Sequence, residues 1–289
     1  MTLIWSRRRS GSTRRKRGSL MLSDRRVPQG IDVNVPNAAR MYDYYLGGDN
    51  NFPADRDAAE KVLRVAPWAR VTALENRAFL RRVVEFLARD HGVRQFVDIG
   101  TGLPTQGNVH EIAHRVTPDA RIVYVDNDQV VLGHNRALLA RVANTTTVRA
   151  DLRRPAEITG HPELNTFIDW GKPVAVLLIA VLHFIPDEND PIGIVGQFRE
   201  MMAPGSYIAI SHAHHQGDEE AVRHLISIYR SANVPLILRS SGEIESLFSG
   251  FELLEPGVVQ VNKWHPANEP YAEEEVWAIG GVGRVTPRS

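Results

Sequence analysis

The feature that most constrains this chain is an alternation that begins near residue 95 and runs to about residue 232. Short apolar runs at 95–99, 121–125, 146–148, 174–180 and 207–211 have the length and composition of strands. The intervening stretches 107–116, 129–142, 191–202 and 218–232 carry helical spacing. Strands that each feed a helix before the next strand run parallel, because a parallel pair needs a long crossover, and the crossover helices then cover both faces of the sheet. The expected fold is a doubly wound α/β sheet. Past Ser240 the alternation stops. A short helix near 243–248 is followed by strands at 251–254 and 276–282, joined by a Pro-containing loop with no long helix, which predicts a terminal β-hairpin.

Upstream of the sheet, helical spacing dominates residues 55–90. Leu74, Ala78, Leu80, Val84 and Leu87 form an apolar stripe, Arg81, Arg82, Glu85 and Arg89 fall on the wet side, and His91-Gly92 stops the helix. Before it, the string from Pro36 to Phe52 holds Tyr42, Tyr44, Tyr45 and the pair Gly47-Gly48, a short helix running into a loop. The tyrosines can fill core or face a ligand, and the glycines let backbone approach something closely. The first 30 residues differ again. They hold nine of the 34 Lys and Arg and one of the 34 Asp and Glu, so a tail of net charge +8 precedes a body of −8. Arg7-Arg8-Arg9 and Arg14-Arg15-Lys16-Arg17 among Ser and Gly cannot bury enough apolar surface to offset ordering entropy, so residues 1–30 read as a disordered basic tail. That tail is either a tether to nucleic acid or anionic membrane, or a solvated extension with Met21 as the true first residue. Residues 31–92 then form a helical cap that contributes to a cofactor site, and 93–289 the α/β domain. No apolar run is long enough to span a bilayer or to follow the basic stretch as a secretory signal, so a soluble, cytoplasmic protein is expected. With no cysteine, thiolate catalysis, disulfides, Fe–S clusters and Cys-ligated zinc are excluded.

The first strand ends in Val97-Asp98-Ile99-Gly100-Thr101-Gly102-Leu103-Pro104-Thr105, beyond the carboxyl edge where open α/β sheets bind ligands. Gly100 and Gly102 mark a cradle. Asp126, ending the second strand, can accept both hydroxyls of a ribose, and Asp151, after the third, can accept from an exocyclic amino group of adenine. A dinucleotide wants a third glycine and a helix N-terminus facing pyrophosphate, but Thr105 stands at that position and Pro104 removes an N–H. S-adenosylmethionine has no phosphate, and Asp98 suits its ammonium. It is therefore favoured over NAD. The alternatives kept open are an NAD-binding oxidoreductase and a non-catalytic S-adenosylmethionine-binding regulatory module.

The glycine turn, Val123-Tyr124-Val125-Asp126-Asn127-Asp128, Arg149-Ala150-Asp151 and Ala180-Val181-Leu182-His183-Phe184-Ile185-Pro186-Asp187 resemble class I S-adenosylmethionine-dependent methyltransferases. From about Pro36 onward, and through Ala39-Arg40-Met41-Tyr42-Asp43-Tyr44-Tyr45-Leu46-Gly47-Gly48 in particular, the chain resembles the actinobacterial S-adenosyl methyltransferase family formerly catalogued as a domain of unknown function. The resemblance implies a Rossmann-like seven-stranded sheet in the order 3-2-1-4-5-7-6, the last strand antiparallel. It implies that Asp98, Gly100 and Gly102 hold the methionine part, Asp126 the ribose, Asp151 with Leu152 the adenine, and Arg77 the cofactor carboxylate, with Thr101 and Asn127 also among the cofactor-binding residues. Ala180, Tyr42, Tyr45 and Gly47 complete the expected cofactor set. The extension before Met21 departs from the family pattern.

Methyl transfer from a sulfonium needs proximity, orientation and a dry site, and a base only where the acceptor starts protonated. His183, at the end of the fourth strand, is the candidate base; its other reading is a histidine capping a strand end. His212, His214 and His215 after the fifth strand can line a pocket, lie on a surface loop, or ligate zinc or iron with Asp187 or Asp190; no metal is assigned. Asn37, Tyr42, Tyr45 and Phe52 can form a lid hinged at Gly47-Gly48, with aromatics over the sulfonium. Trp68 and Trp264 are further pocket candidates beside a core or hairpin role. No Asn/Asp-Pro-Pro-Tyr motif follows strand four and the body is acidic, which argues against nucleic acid as substrate. The expected acceptor is a small molecule, O- or N-methylated, with secondary metabolism as the expected setting.

Overall fold

The computed structural model describes residues 32–104, 107–214, 219–266 and 276–287. Five parallel strands, β1 (Gln95–Ile99), β2 (Arg121–Asp126), β3 (Thr145–Arg149), β4 (Ala175–Ile179) and β5 (Tyr207–Ala213), stand in the order β3-β2-β1-β4-β5. The two-residue strands β6 (Glu252–Leu253) and β7 (Val259–Gln260) both pair with β8 (Ala278–Arg284), which runs antiparallel to β5. With β7 set aside, this is the expected seven-strand order, closed by the expected antiparallel strand. Nothing in the residue pattern marks β7, because two residues carry no periodicity.

Three helices precede the sheet: α1 (Ala38–Tyr45), α2 (Pro53–Val65) and α3 (Ala69–Arg89). Within it come α4 (Val109–Val116), α5 (Gln129–Leu139), α6 (Pro155–Thr159), α7 (Pro162–Phe167), α8 (Pro191–Met201), α9 (Glu219–Ser231) and α10 (Ser241–Ser246). Successive side chains of a strand point to opposite faces, and both faces of this sheet are covered, which is why its strands read as unbroken apolar runs. On one face Val97, Ile99, Val123, Val176 and Leu178 pack with Ile194, Val195 and Phe198 of α8. On the other, Phe96, Ile122, Tyr124, Ala175 and Leu177 pack with Phe79, Leu80, Val83, Val84 and Leu87 of α3 and with α4. A third cluster, Met41, Tyr45, Ala59, Val62, Ala73, Leu225, Ile228 and Leu236, joins α1, α2 and the start of α3 to α9.

The helical region 55–90 is two helices, because Pro67 lacks the N–H that a continuous helix requires and the chain turns at Pro67-Trp68. Arg82 is not on the wet side either: its Nε donates to the carbonyl of Trp264 at 2.8 Å and its Nη2 to that of Val261, clamping the approach to β8 onto α3. Glu85 is half-buried, whereas Arg81 and Arg89 are exposed as expected. No helix among the described residues is long and apolar enough to cross a membrane. The basic tail lies outside the described residues.

Candidate active site

A cavity of about 580 Å³ opens beyond the carboxyl ends of β1, β2, β4 and β5, roofed by α1, α3 and α9, and falls in the size range of small-molecule sites. The strand order reverses between β1 and β4, which leaves the crevice that the fold's ligands use. Gly100 takes φ +71° and packs against Val181, whose Cγ2 would stand 2.4 Å from a Cβ added there. That close approach is the reason for glycine at this point.

Two carboxylates dominate this end. Asp98 is buried, and the loss of hydration raises its pKa to about 6 against the opposing pull of Arg77. Asp126 is raised to about 6 by burial as well. Its Oδ2 accepts the N–H of Gly102 at 3.1 Å and its Oδ1 that of Asp128 at 2.9 Å, so one side chain joins the glycine turn to the loop after β2. Asp128 caps α5 through the N–H of Val130 and accepts from Nδ2 of Asn37 at 2.9 Å. Asn37 in turn caps α1, so the Asn37–Asp128 pair anchors the roof to the floor at this end. Arg77 donates to Oδ1 of Asn108 at 3.2 Å. Asp151 is held by Arg153, whose Nε lies 3.0 and 3.1 Å from its two oxygens, and this ion pair lowers the Asp151 pKa.

A buried polar chain crosses the middle of the cavity. The N–H of Ala180 donates to Oγ of Ser211 at 3.0 Å, and Ser211 donates to Oδ1 of Asn76. Asn76 donates to the Tyr42 hydroxyl at 3.0 Å, and Tyr42 to the carbonyl of Ala73 at 3.1 Å. One run of hydrogen bonds thus ties β4, β5, α3 and α1 together.

The third part of the site is histidine-rich. Nδ1 of His183 accepts the N–H of Ala213 at 3.3 Å, and burial, aided by His212 and Arg239, drops its pKa well below the imidazole range. A neutral ring that accepts at Nδ1 carries its proton on Nε2. In this arrangement the His183 lone pair is engaged and Nε2 carries the hydrogen, whereas the general-base role expected of it needs a free lone pair. His212, lowered to about 4 chiefly by burial, donates from Nδ1 to the carbonyl of Ala213 at 2.7 Å and accepts at Nε2 from Arg239 at 2.8 Å. His214 donates from Nδ1 to the carbonyl of Arg239 at 3.1 Å. Arg239, 5% exposed, also donates to the carbonyls of Leu182 and Ile185 and to the Asp187 carboxylate, fastening the segment after β4 to β5.

The family model of S-adenosyl methyltransferases matches residues 24–286. The chain belongs to this family. A solved structure of a DUF574 family protein from Streptomyces avermitilis is 41% identical with TM-score 0.84, covering 88% of this chain and 99% of its own. A candidate methyltransferase from Thermobifida fusca is 41% identical with TM-score 0.85, covering 90% and 98%. No curated protein matches.

Of the expected cofactor-binding residues and His183, all line the methyltransferase cavity except Gly47. Gly47 is exposed at φ +77°, turning the chain after α1, so it serves the helix end and not the ligand. Phe52 departs from the expected lid for a related reason: it stacks under the Arg40 guanidinium, 5.3 Å from its centroid, where the buried Arg40–Asp55 ion pair holds it. Trp68 lines the cavity, stacked on Trp277 with centroids 3.7 Å apart, whereas Trp264 is core, edge-on to Phe79 and Phe86. Among the described residues no cluster of His, Cys, Asp and Glu could hold a metal, and Nε2 of His212 already faces a cation. His215, Thr105 and Gln106 lie outside the described residues. Asn76, Ser211, Arg239, Tyr229 and Trp277 escaped the sequence reading. Asn76 and Ser211 carried a usable signal, since each is a polar residue in an otherwise apolar stripe or strand.

Proposed function

We propose that the protein transfers the methyl group of S-adenosylmethionine to a small molecule, by O- or N-methylation. The observation that carries this reading is the pair of carboxylates with raised pKa, the buried Asp98 and the half-buried Asp126, at the mouth of a glycine turn where Gly100 leaves no room for a side chain. An isolated buried carboxylate is costly, and two together call for donors or a cation between them. The ammonium and ribose of S-adenosylmethionine supply both. Pro104 in the turn disfavours a pyrophosphate.

In this reading Asp98 accepts from the ammonium, Arg77 pairs with the cofactor carboxylate, and Gly100, Thr101 and Gly102 admit the methionine part. Asp126 and Asn127 take the ribose, and Asp151 with Leu152 the adenine. Ala180, Tyr42 and Tyr45 close the site around the reacting end. S-adenosylmethionine supplies an electrophilic methyl group on a good leaving group. The chain's residues exclude water, hold the acceptor in line and orient it, with the His183 N–H as one hydrogen-bond donor.

Titration calorimetry tests the reading. S-adenosylmethionine and its demethylated product should bind, NAD should not, and Asp126→Ala should weaken binding by about 1–3 kcal/mol through lost hydrogen bonds. Tight NAD binding with no response to S-adenosylmethionine would sink it.

A further inference from the structure

Three histidines line the acceptor side of the cavity, and their partners settle what each ring can do. A backbone N–H can only donate, a carbonyl can only accept, and a guanidinium can only donate. His183 accepts from a backbone N–H, so its Nδ1 lone pair is engaged and Nε2 bears hydrogen. His212 donates to a carbonyl and accepts from a guanidinium, so both its nitrogens are engaged. His214 donates to a carbonyl through Nδ1, which places the lone pair of the neutral ring on Nε2, with no partner for it among the described residues. Among the described residues, then, only His214 of the three can take a proton without first breaking a hydrogen bond.

The walls around these rings indicate what brings that proton. Trp68, Phe184, Leu225, Tyr229, Leu236 and Trp277 face the cavity here. Among the described residues, α9, the segment that follows it and the start of β8 contribute no charged side chain to the lining. Most acidic groups of the lining stand at the ends of β1, β2 and β3, with Asp43 of α1 and the exposed Glu188 after β4 besides. An apolar, aromatic wall without a counter-charge favours a neutral, flat ligand, because a buried unpaired charge is expensive.

We propose that the methyl acceptor is a neutral aromatic alcohol and that His214 is the catalytic residue that removes its proton. This rests on the methyltransferase reading above. The hydroxyl oxygen forms its bond to the methyl carbon as the carbon–sulfur bond breaks and the electron pair stays on sulfur. The hydroxyl proton passes to Nε2 of His214, leaving an aryl methyl ether, a neutral thioether and an imidazolium. His183 donates its Nε2–H to the same oxygen and orients it. A donor alone stabilises developing negative charge, but it cannot remove the proton.

The test uses 4-nitrophenol, whose phenolate absorbs visible light and whose phenol does not, added to the full chain saturated with demethylated cofactor. The expected result is saturable binding, with the midpoint of phenolate formation lowered by about one pH unit, tenfold in the phenolate-to-phenol ratio. His214→Gln should abolish that shift with cofactor affinity intact, and His183→Gln should weaken probe binding while the shift remains. No 4-nitrophenol binding to the cofactor-loaded protein overturns the acceptor class. A shift that survives His214→Gln, or that disappears only in His183→Gln, overturns the assignment of the base. Failure of the demethylated cofactor to bind strikes the methyltransferase reading instead, so the two failures are told apart. Nitrogen-15 NMR of the histidine-labelled wild type, above the imidazole titration range, needs no substitution. Nε2 must be bare in His214 and protonated in His183, and the reverse pattern overturns the proposal.

Discussion

The two halves of the cavity are built on opposite principles. At the ends of β1, β2 and β3 the walls are ionic: Asp98, Asp126 and Asp151 each end or follow a strand, and Arg77 and Arg153 stand beside them. At the ends of β4 and β5 the walls, apart from the exposed Glu188, are neutral: His183 and His212 are held uncharged by burial, and aromatics are drawn from α9, β8 and the turn after α2. The first half comes from side chains near their own strand, and the second from segments far apart in the chain. A charged site built locally can be altered one residue at a time. A neutral site assembled from distant segments depends on whatever holds them together, and here that is Arg239.

The largest effect is therefore expected at Arg239. Arg239→Met removes the donor from His212 Nε2 and from the carbonyls of Leu182 and Ile185. Each buried acceptor left without a partner costs about 1–3 kcal/mol, and the exposed Asp187 adds little. A loss of about 3 kcal/mol or more in denaturant unfolding follows, together with disturbance of the histidine half. Unfolding within about 1 kcal/mol of wild type would show that the two halves do not differ in this way.

Gly100→Ala probes the other half through the backbone. The added Cβ must displace Val181 and tolerate a positive φ, a cost of roughly 1–3 kcal/mol that falls on the cofactor cradle. Cofactor affinity should fall about tenfold or more by calorimetry, and Val181→Ala should restore part of it by relieving the contact without relieving the φ. Full restoration would mean that the clash, and not the left-handed backbone, sets the requirement.

The ionic half was the legible one, for a physical reason. A glycine turn after an apolar run, then acidic residues at the next two strand ends, are local patterns with local causes. The sheet was legible on the same grounds, because burial on both faces forces continuous apolar strands. The histidine half was legible only as a list of residue types. His212, His214 and Asp187 could be named, but Arg239 stands far along the chain from the others, and its partners are mostly backbone carbonyls that sequence does not distinguish. The tautomer of His183 likewise depends on one backbone N–H, that of Ala213. Gly47 misled because a glycine after a helix and a glycine beside a ligand look alike in sequence.

Titration separates the halves further. Asp98 and Asp126 have folded pKa values of about 6, raised from 3.8. Their contribution to stability is fully present below that lower value and is lost as pH rises through 6, so these groups make the ligand-free protein more stable at about pH 5 than at pH 7. Under the proposed assignment cofactor binding runs the opposite way, because the ammonium and the ribose hydroxyls need the charged carboxylates. Affinity should weaken as pH falls below about 6, approaching tenfold per pH unit for each carboxyl that must ionise. Calorimetry in buffers of different ionisation enthalpy should detect protons released on binding at about pH 5.5 and none from these groups at about pH 8. Flat affinity across that range would remove both carboxylates from the cofactor's partners.

The smallest effect belongs to Arg153. It grips Asp151 with Nε 3.0 and 3.1 Å from the two oxygens, yet its own side chain is 52% exposed. Solvent screens such a pair, and holding a long side chain in one geometry costs entropy, so Arg153→Ala should change stability by no more than about 0.5 kcal/mol. The informative quantity is cofactor affinity. Arg153 engages both carboxylate oxygens, and in the proposed assignment the adenine amino group must share one of them. Removing Arg153 frees that acceptor and also lets the Asp151 pKa return towards its ordinary value, which still leaves the carboxylate charged at neutral pH. Affinity should then stay level or rise slightly. A fall of tenfold or more would place the guanidinium itself against the adenine, and the ionic half would extend one residue further than Asp151.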